Sequence, residues 1–228
     1  MGTKQLFIKF SAALAVAACL TDILFTIYFG NKYPGYNQLV DTLSKLGSNT
    51  SPVAHAISTW WIIICILFVI FALGFRTGFG HSEIHIRRAF WFITIYALGE
   101  GMGSGIFPAN HSENGLTLSL IIHDTLGGIG IAGIMITPFV LWKVEPFNSR
   151  KIYRVINRIV IILGPLWLIL FSLSKIQSLS SNYVLHFEGL WQRLLTFTYY
   201  IYIVFIASLL WKEGTIQENN TKKDLMFE

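Results

Sequence analysis

The strongest constraint on this chain is a series of six apolar stretches, each near the length that crosses a bilayer. They fall at about 6–29, 53–75, 89–107, 116–142, 155–173 and 189–211. Hydrocarbon about 30 Å thick takes roughly 20 residues of helix at ~1.5 Å per residue. Lipid offers backbone N–H and C=O groups no partner, so each stretch is expected to be helical. The six use most of the 228 residues and leave no room for a separate soluble domain. The chain is 54% hydrophobic and only 13% charged, about half the charge of a soluble domain. The expected fold is an all-α integral membrane protein: one six-transmembrane-helix bundle over residues 1–211, then a polar cytoplasmic tail, 212–228.

Basic residues set the expected orientation. Of the 17 lysines and arginines, 13 fall in the N-terminus, the second and fourth connections and the tail. Only Lys32, Lys45, Lys175 and Arg193 fall on the other side. The positive-inside rule then makes both termini cytoplasmic in a cell membrane, with the first, third and fifth connections outside. The net charge of +5 is therefore a topology signal and not a nucleic-acid footprint. The segment Val16-Ala17-Ala18-Cys19 resembles a lipoprotein cleavage box, but the apolar run continues beyond it and reads as a span. Cys19 and Cys65 both lie in spans and build neither a disulfide framework nor a metal spacing.

The first outer connection is the longest. Tyr33-Pro34-Gly35-Tyr36 reads as a turn, after which Asn37 is expected to cap a short amphipathic helix ending at Gly47. Leu39, Val40, Leu43 and Leu46 share one face of it. On the other face Asp41 and Lys45 are spaced for an i, i+4 pair. Span three carries Gly99/Gly103 and Gly101/Gly105, two small-xxx-small pairs that allow close helix approach, and span four is glycine-rich too. With no strand before it, the glycine run is not a nucleotide fingerprint.

Four ionisable residues lie inside the spans at one level. Asp22, Glu100, His123 and Asp124 are each about seven residues from the outer end of their span, roughly 10–12 Å deep. Ionisable groups at such depth are costly and mark function by default. Arg193 in span six is somewhat shallower. The expected site is an outward-facing polar pocket ringed by Asp22, Glu100, His123, Asp124 and Arg193, with His111, His186 and Glu188 at its mouth. A structural reading competes: Arg193 neutralises one acid and His123 bonds another, giving a polar knot. His123 with these carboxylates also offers an N/O set that suits zinc. No His-x-x-x-His or Glu-x-x-His pair on one of the spanning helices supports it, so no metal ligand and no cofactor are assigned.

Several motifs together resemble a family. These are Pro34-Gly35-Tyr36, then Asp41-Thr42-Leu43-Ser44-x-Leu46-Gly47, then Gly103-x-Gly105-Ile106-Phe107-Pro108, then His123. They resemble the prokaryotic domain-of-unknown-function family 998, which is distantly similar to the six-span DRAM/Sfk membrane proteins. The resemblance implies a six-helix membrane protein without an assigned activity. It adds Asp41 and Ser44 to the ligand-binding candidates, although Ser44 by itself reads as a polar helix-face residue.

The expected function is to bind a lipid-like or small amphiphilic ligand in the outer pocket, with membrane lipids as partners. Two other classes stay open. One is an intramembrane hydrolase or lipid-modifying enzyme using His123 and a carboxylate, with Asp22, Glu100 and Asp124 as candidates. The other is a proton-coupled carrier using Asp22 or Glu100, against which the scarcity of polar groups in the cytoplasmic half counts.

Overall fold

The computed structural model describes residues 2–80, 83–112, 115–176 and 182–227. Among the described residues five helices are long and apolar enough to cross a membrane. They are α1 (Thr3–Lys32), α3 (Ala54–Phe79), α6 (Leu118–Leu141), α7 (Lys151–Ser174) and α8 (Glu188–Phe227). Each contains or nearly contains one of the expected apolar stretches.

The remaining stretch is a helical path of three pieces. α4 (Ile84–Tyr96) leads into a π-helical segment, Ala97–Gly103, and then a last α turn, α5 (Ser104–Ile106). The π segment holds four of its seven positions as glycine or alanine on buried faces. Its two glycine pairs serve two neighbours. A Cβ on Gly99 would lie 2.7 Å from the Gly130 Cα of α6, and one on Gly103 2.8 Å from Leu126. A Cβ on Gly101 would lie 2.6 Å from Cys65 of α3, and one on Gly105 2.7 Å from Ile62. Positions two apart point to opposite sides of a helix, so alternating glycines let one rod press against α3 and α6 together.

Hydroxyl and carboxylate caps fix the starts of α6 and α4. Thr117 accepts from Leu120 N–H at 3.1 Å at the start of α6, and Glu83 accepts from Ile86 N–H at the start of α4. A two-residue antiparallel pairing, His111–Ser112 with Gly115–Leu116, closes the connection before α6. In the first long connection the helix is shorter than expected. It is α2 (Leu43–Leu46), capped by Thr42, which accepts from Lys45 N–H at 3.2 Å. Asn37 is spent earlier, its side chain accepting from Leu39 N–H at 2.9 Å in an Asx turn.

The rods pack in chain order as a ring: α1 on α3, α3 on the α4 path, that path on α6, α6 on α7, α7 on α8, and α8 back on α1. Contact between α6 and α7 is the sparsest link. The buried residues of α7 are Asn157, Val160 and Gly164, and past Gly164 none is fully buried. Around the ends of α3 and α6 farthest from α2, aromatic rings fill the interior. Phe147, fully buried, sits among Phe75, Phe79 and Phe205 at 5.0–6.5 Å between ring centroids. Asn157 is satisfied there by donating to the Phe147 carbonyl at 3.0 Å and accepting from Tyr202 at 2.8 Å. The polar tail is no loose appendage, because α8 runs on past Trp211 without a break. It is tied down by Lys9 with Glu218 at 2.6 Å and by Gln217 donating to the Gly78 carbonyl at 3.0 Å.

The glycine contacts are testable. A Gly99→Val side chain must displace backbone of α6 and is expected to cost about 1–3 kcal/mol. A Cβ added at Gly128 would meet nothing within 4 Å, so Gly128→Ala is expected to stay within about 0.5 kcal/mol of the parent. Thermal melting of detergent-solubilised variants separates them, and equal melting temperatures would contradict the packing.

Candidate functional site

One cavity of about 290 Å³ lies at the α2 end of the ring. Its wall draws on every rod. Asp22 comes from α1, Trp61 and Phe68 from α3, Tyr96 and Glu100 from the α4 path. His123, Asp124 and Gly128 come from α6, Leu168 and Phe171 from α7, Gln192 and Tyr200 from α8, and Ser44 from α2. The four ionisable residues expected at one level are thus brought together.

They are held very differently. Asp22, 5% exposed, is fully engaged. Trp60 donates its indole N–H to Oδ1 at 2.9 Å, and Tyr200 donates its hydroxyl to Oδ2 at 2.8 Å. Asp22 is thus tied to two neutral donors, and neither Arg193 nor His123 takes part. Glu100 is the opposite case. It sits in the π segment, half-buried, with no hydrogen-bond or ion-pair partner among the described residues. Gly127 leaves it room, since a Cβ there would stand 3.1 Å from Oε1. π-helical turns often occur where a helix is bent to a function.

His123, also 5% exposed, has both ring nitrogens committed. Nδ1 lies 2.7 Å from the Phe107 carbonyl oxygen, and Nε2 lies 3.0 Å from Ser44 Oγ. The expected carboxylate partner is absent from the ring. Phe107 ends the α4 path just before Pro108, so its carbonyl has no helical partner and is free to take the imidazole. Because a carbonyl only accepts, the neutral ring carries its hydrogen on Nδ1 and leaves Nε2 to accept from Ser44.

Asp124 stands at the rim. Its side chain is 54% exposed, and its nearest cation is Lys175, 45% exposed, at 3.9 Å. Lys175 is the C-cap of α7 and lines the cavity. Among the described residues no group of three His, Cys, Asp or Glu side chains is arranged to hold a metal.

Arg193, expected in the ring, and Asp41, added by the family resemblance, do not line the cavity. Arg193 pairs with no carboxylate among the described residues. Its guanidinium donates to the carbonyls of Asp41 and Gly189 at 2.9 and 3.0 Å, to Tyr36 at 2.6 Å and to Gln38 at 2.7 Å. Burial pushes the Tyr36 phenol above its ordinary range, against the opposing pull of Arg193, so it remains a neutral partner that donates to the Thr42 carbonyl at 2.9 Å. Asp41 spends its carboxylate on Lys45 at 2.6 Å and on Asn37 N–H at 2.7 Å. Gln192 accepts from Leu43 N–H at 2.6 Å, and Leu190 N–H donates to the Leu39 carbonyl at 2.8 Å. These bonds clamp the connection onto the start of α8 and hold Ser44 over His123. His186 is exposed and neither it nor Glu188 lines the cavity, and the His111 side chain lies outside the described residues.

Tyr96, Tyr200, Gln192 and Lys175 join the cavity without a clear sequence signal. Tyr96 and Tyr200 lie well inside their spans, where a tyrosine reads as core, and Lys175 reads as a loop charge.

Long apolar helices closed around an interior polar cavity define a multi-pass membrane protein. A family model described as protein of unknown function (DUF998) matches residues 16–209, and the chain belongs to that family. No curated protein and no solved structure gives a match.

The two acids predict opposite behaviour. Asp22→Ala strips the half-buried Trp60 and the buried Tyr200 donors of their acceptor and is expected to destabilise by about 2–4 kcal/mol. Glu100→Gln removes no partner and is expected to shift stability by less than about 0.5 kcal/mol. Melting of the two variants beside the parent checks this, and a large loss in Glu100→Gln would mean that the carboxylate is structural.

Proposed function

We propose that this protein binds the polar head of a small amphiphile in the cavity at the α2 end, with the apolar tail leaving between α6 and α7. The observation that carries this reading is the mixed lining of a cavity beside the sparsest helix contact of the ring. Trp61, Phe68, Leu168 and Phe171 supply apolar wall, and Glu100, His123, Gln192 and Ser44 supply polar groups. A volume of about 290 Å³ is at the lower end for a small-molecule site, enough for a head group and a short length of chain. Longer chains have to run outside it.

The α6–α7 gap is where they would run. Asp124 lies six residues into α6, roughly 9 Å along it, yet is more than half exposed. A charge at that depth on a lipid-facing surface would be expensive. An opening that carries water or a polar head removes the difficulty. Gly128, with open space at its Cβ position, widens the gap on the α6 side.

In this reading the composite path over 84–106 also crosses the bilayer, giving six spans. At roughly 30 Å it is long enough. The basic-residue asymmetry then puts both termini in the cytoplasm of a cell carrying the protein in its surface membrane, and turns the cavity outward. The aromatic plug around Phe147 favours a binding pocket over a carrier, because it fills the interior toward the other end with apolar rings.

The experiment is photo-crosslinking in vesicles with a single-chain amphiphile bearing a diazirine in the tail and a neutral or cationic head. Adducts are expected at Ile131, Leu168 or Phe171, and Gly128→Trp, which fills the opening, is expected to suppress them strongly. Adducts spread evenly over lipid-facing residues and indifferent to Gly128→Trp would contradict the reading.

A further inference from the structure

We infer that Ser44 and His123 form a nucleophile–base pair that cleaves a carboxylic ester of the amphiphile held in the cavity. The inference rests on the binding reading above and adds a reaction to it. Three groups stand in line: Ser44 Oγ, 3.0 Å from His123 Nε2, and His123 Nδ1, 2.7 Å from the Phe107 carbonyl oxygen. That is a nucleophile, a base within hydrogen-bond reach, and a third group that orients the base. The orienting group is a backbone carbonyl. It fixes which nitrogen carries the hydrogen and so leaves Nε2 as the one that takes the serine proton.

Ser44 is held for this task by bonds from the start of α8 to the residues just before it. Its helix α2 is only four residues long. What keeps it in place is the clamp of Arg193 on the Asp41 carbonyl and of Gln192 on Leu43 N–H. Gln192 has a second use. Leu43 occupies its Oε1, so its amide NH₂ is the donor that remains beside Ser44 in the cavity wall.

The reaction balances with water as the only co-reactant. Nε2 takes the Ser44 hydroxyl proton as Oγ attacks the ester carbonyl carbon, and the carbonyl oxygen becomes an oxyanion facing the Gln192 amide. The intermediate collapses by breaking the bond to the alkoxy oxygen, which leaves as an alcohol after receiving the proton from Nε2. Water then gives a proton to Nε2 and attacks the acyl-serine. Collapse returns the proton to Oγ and releases the carboxylic acid. The lining holds three acids, Asp22, Glu100 and Asp124, against one cation, Lys175, which stands 3.9 Å from Asp124, and that excess disfavours an anionic head. The substrate class is therefore an acyl ester of a neutral or cationic alcohol, and the same charges help to expel an ionised acid product.

The test uses the full-length protein in lipid nanodiscs, a fluorophosphonate probe that phosphonylates activated serines, and a medium-chain p-nitrophenyl ester. Labelling is expected at Ser44, located by peptide mass spectrometry, with ester hydrolysis alongside. Ser44→Ala abolishes both, and His123→Gln lowers both about 100-fold or more. Ser44→Cys guards against a folding artefact. Its thiol is expected to react with iodoacetamide faster than the same thiol in a Ser44→Cys/His123→Gln double variant.

Photo-crosslinking of the amphiphile to Ser44→Ala separates the two proposals. Retained crosslinking with lost labelling supports the dyad. A parent protein that crosslinks but takes no probe at Ser44 overturns the dyad and leaves the binding reading intact. Absence of both crosslinking and labelling overturns both. Probe on another residue, or a Ser44→Cys thiol indifferent to His123, also overturns the dyad.

Discussion

Polar groups inside a membrane protein have no solvent to fall back on, so they must find one another. The ring of rods is arranged around that requirement. Asp22, Tyr200 and Trp60 satisfy one another between three helices, while His123 takes the Phe107 carbonyl and the Ser44 hydroxyl. Arg193 meets four acceptors in the α2 connection and at the start of α8. Of these groups Asp22, Tyr200, His123 and Ser44 line a cavity in which the Glu100 carboxylate has no partner among the described residues. The structure spends most of its buried polar groups on one another, and Glu100 stands apart from them among the described residues.

Much of the fold is legible in the sequence. Hydropathy and length locate the apolar stretches because a bilayer imposes both at once. The alternating glycines announce close packing, and the structure adds that they serve two neighbours. The break from α to π geometry at Ala97 is not legible. It arises from how the rod fits between α3 and α6 and leaves no mark in a hydrophobic profile. The α2 helix is shorter than its amphipathic pattern suggests because the clamp from α8, more than 140 residues away in sequence, holds residues 37–42 as turns.

The candidate site is legible by level and not by direction. Counting from span ends puts Asp22, Glu100, His123 and Asp124 at one depth, but depth says nothing of rotation about each helix axis. Hence the sequence cannot separate the engaged Asp22 from the free Glu100, or the buried His123 from its exposed neighbour Asp124. Arg193 misleads because it lies only somewhat shallower than the acids while its side chain turns to the connection. Ser44 is the reverse case. Its sequence signal is a family motif in a loop, and only the fold of that loop onto α8 brings it to the imidazole.

The central claim is that the polar groups line a cavity reachable from outside and are not sealed in a knot. Site-directed thiol labelling tests it most directly. With Cys19 and Cys65 replaced by alanine, a Gly128→Cys variant carries a single thiol in open space beside Asp124 and Glu100. A membrane-impermeant thiol reagent added to intact cells is expected to label it, and a single-chain amphiphile with a neutral or cationic head is expected to slow the labelling. A thiol that reacts with no external reagent, or only after the cytoplasmic side is exposed, would contradict the account.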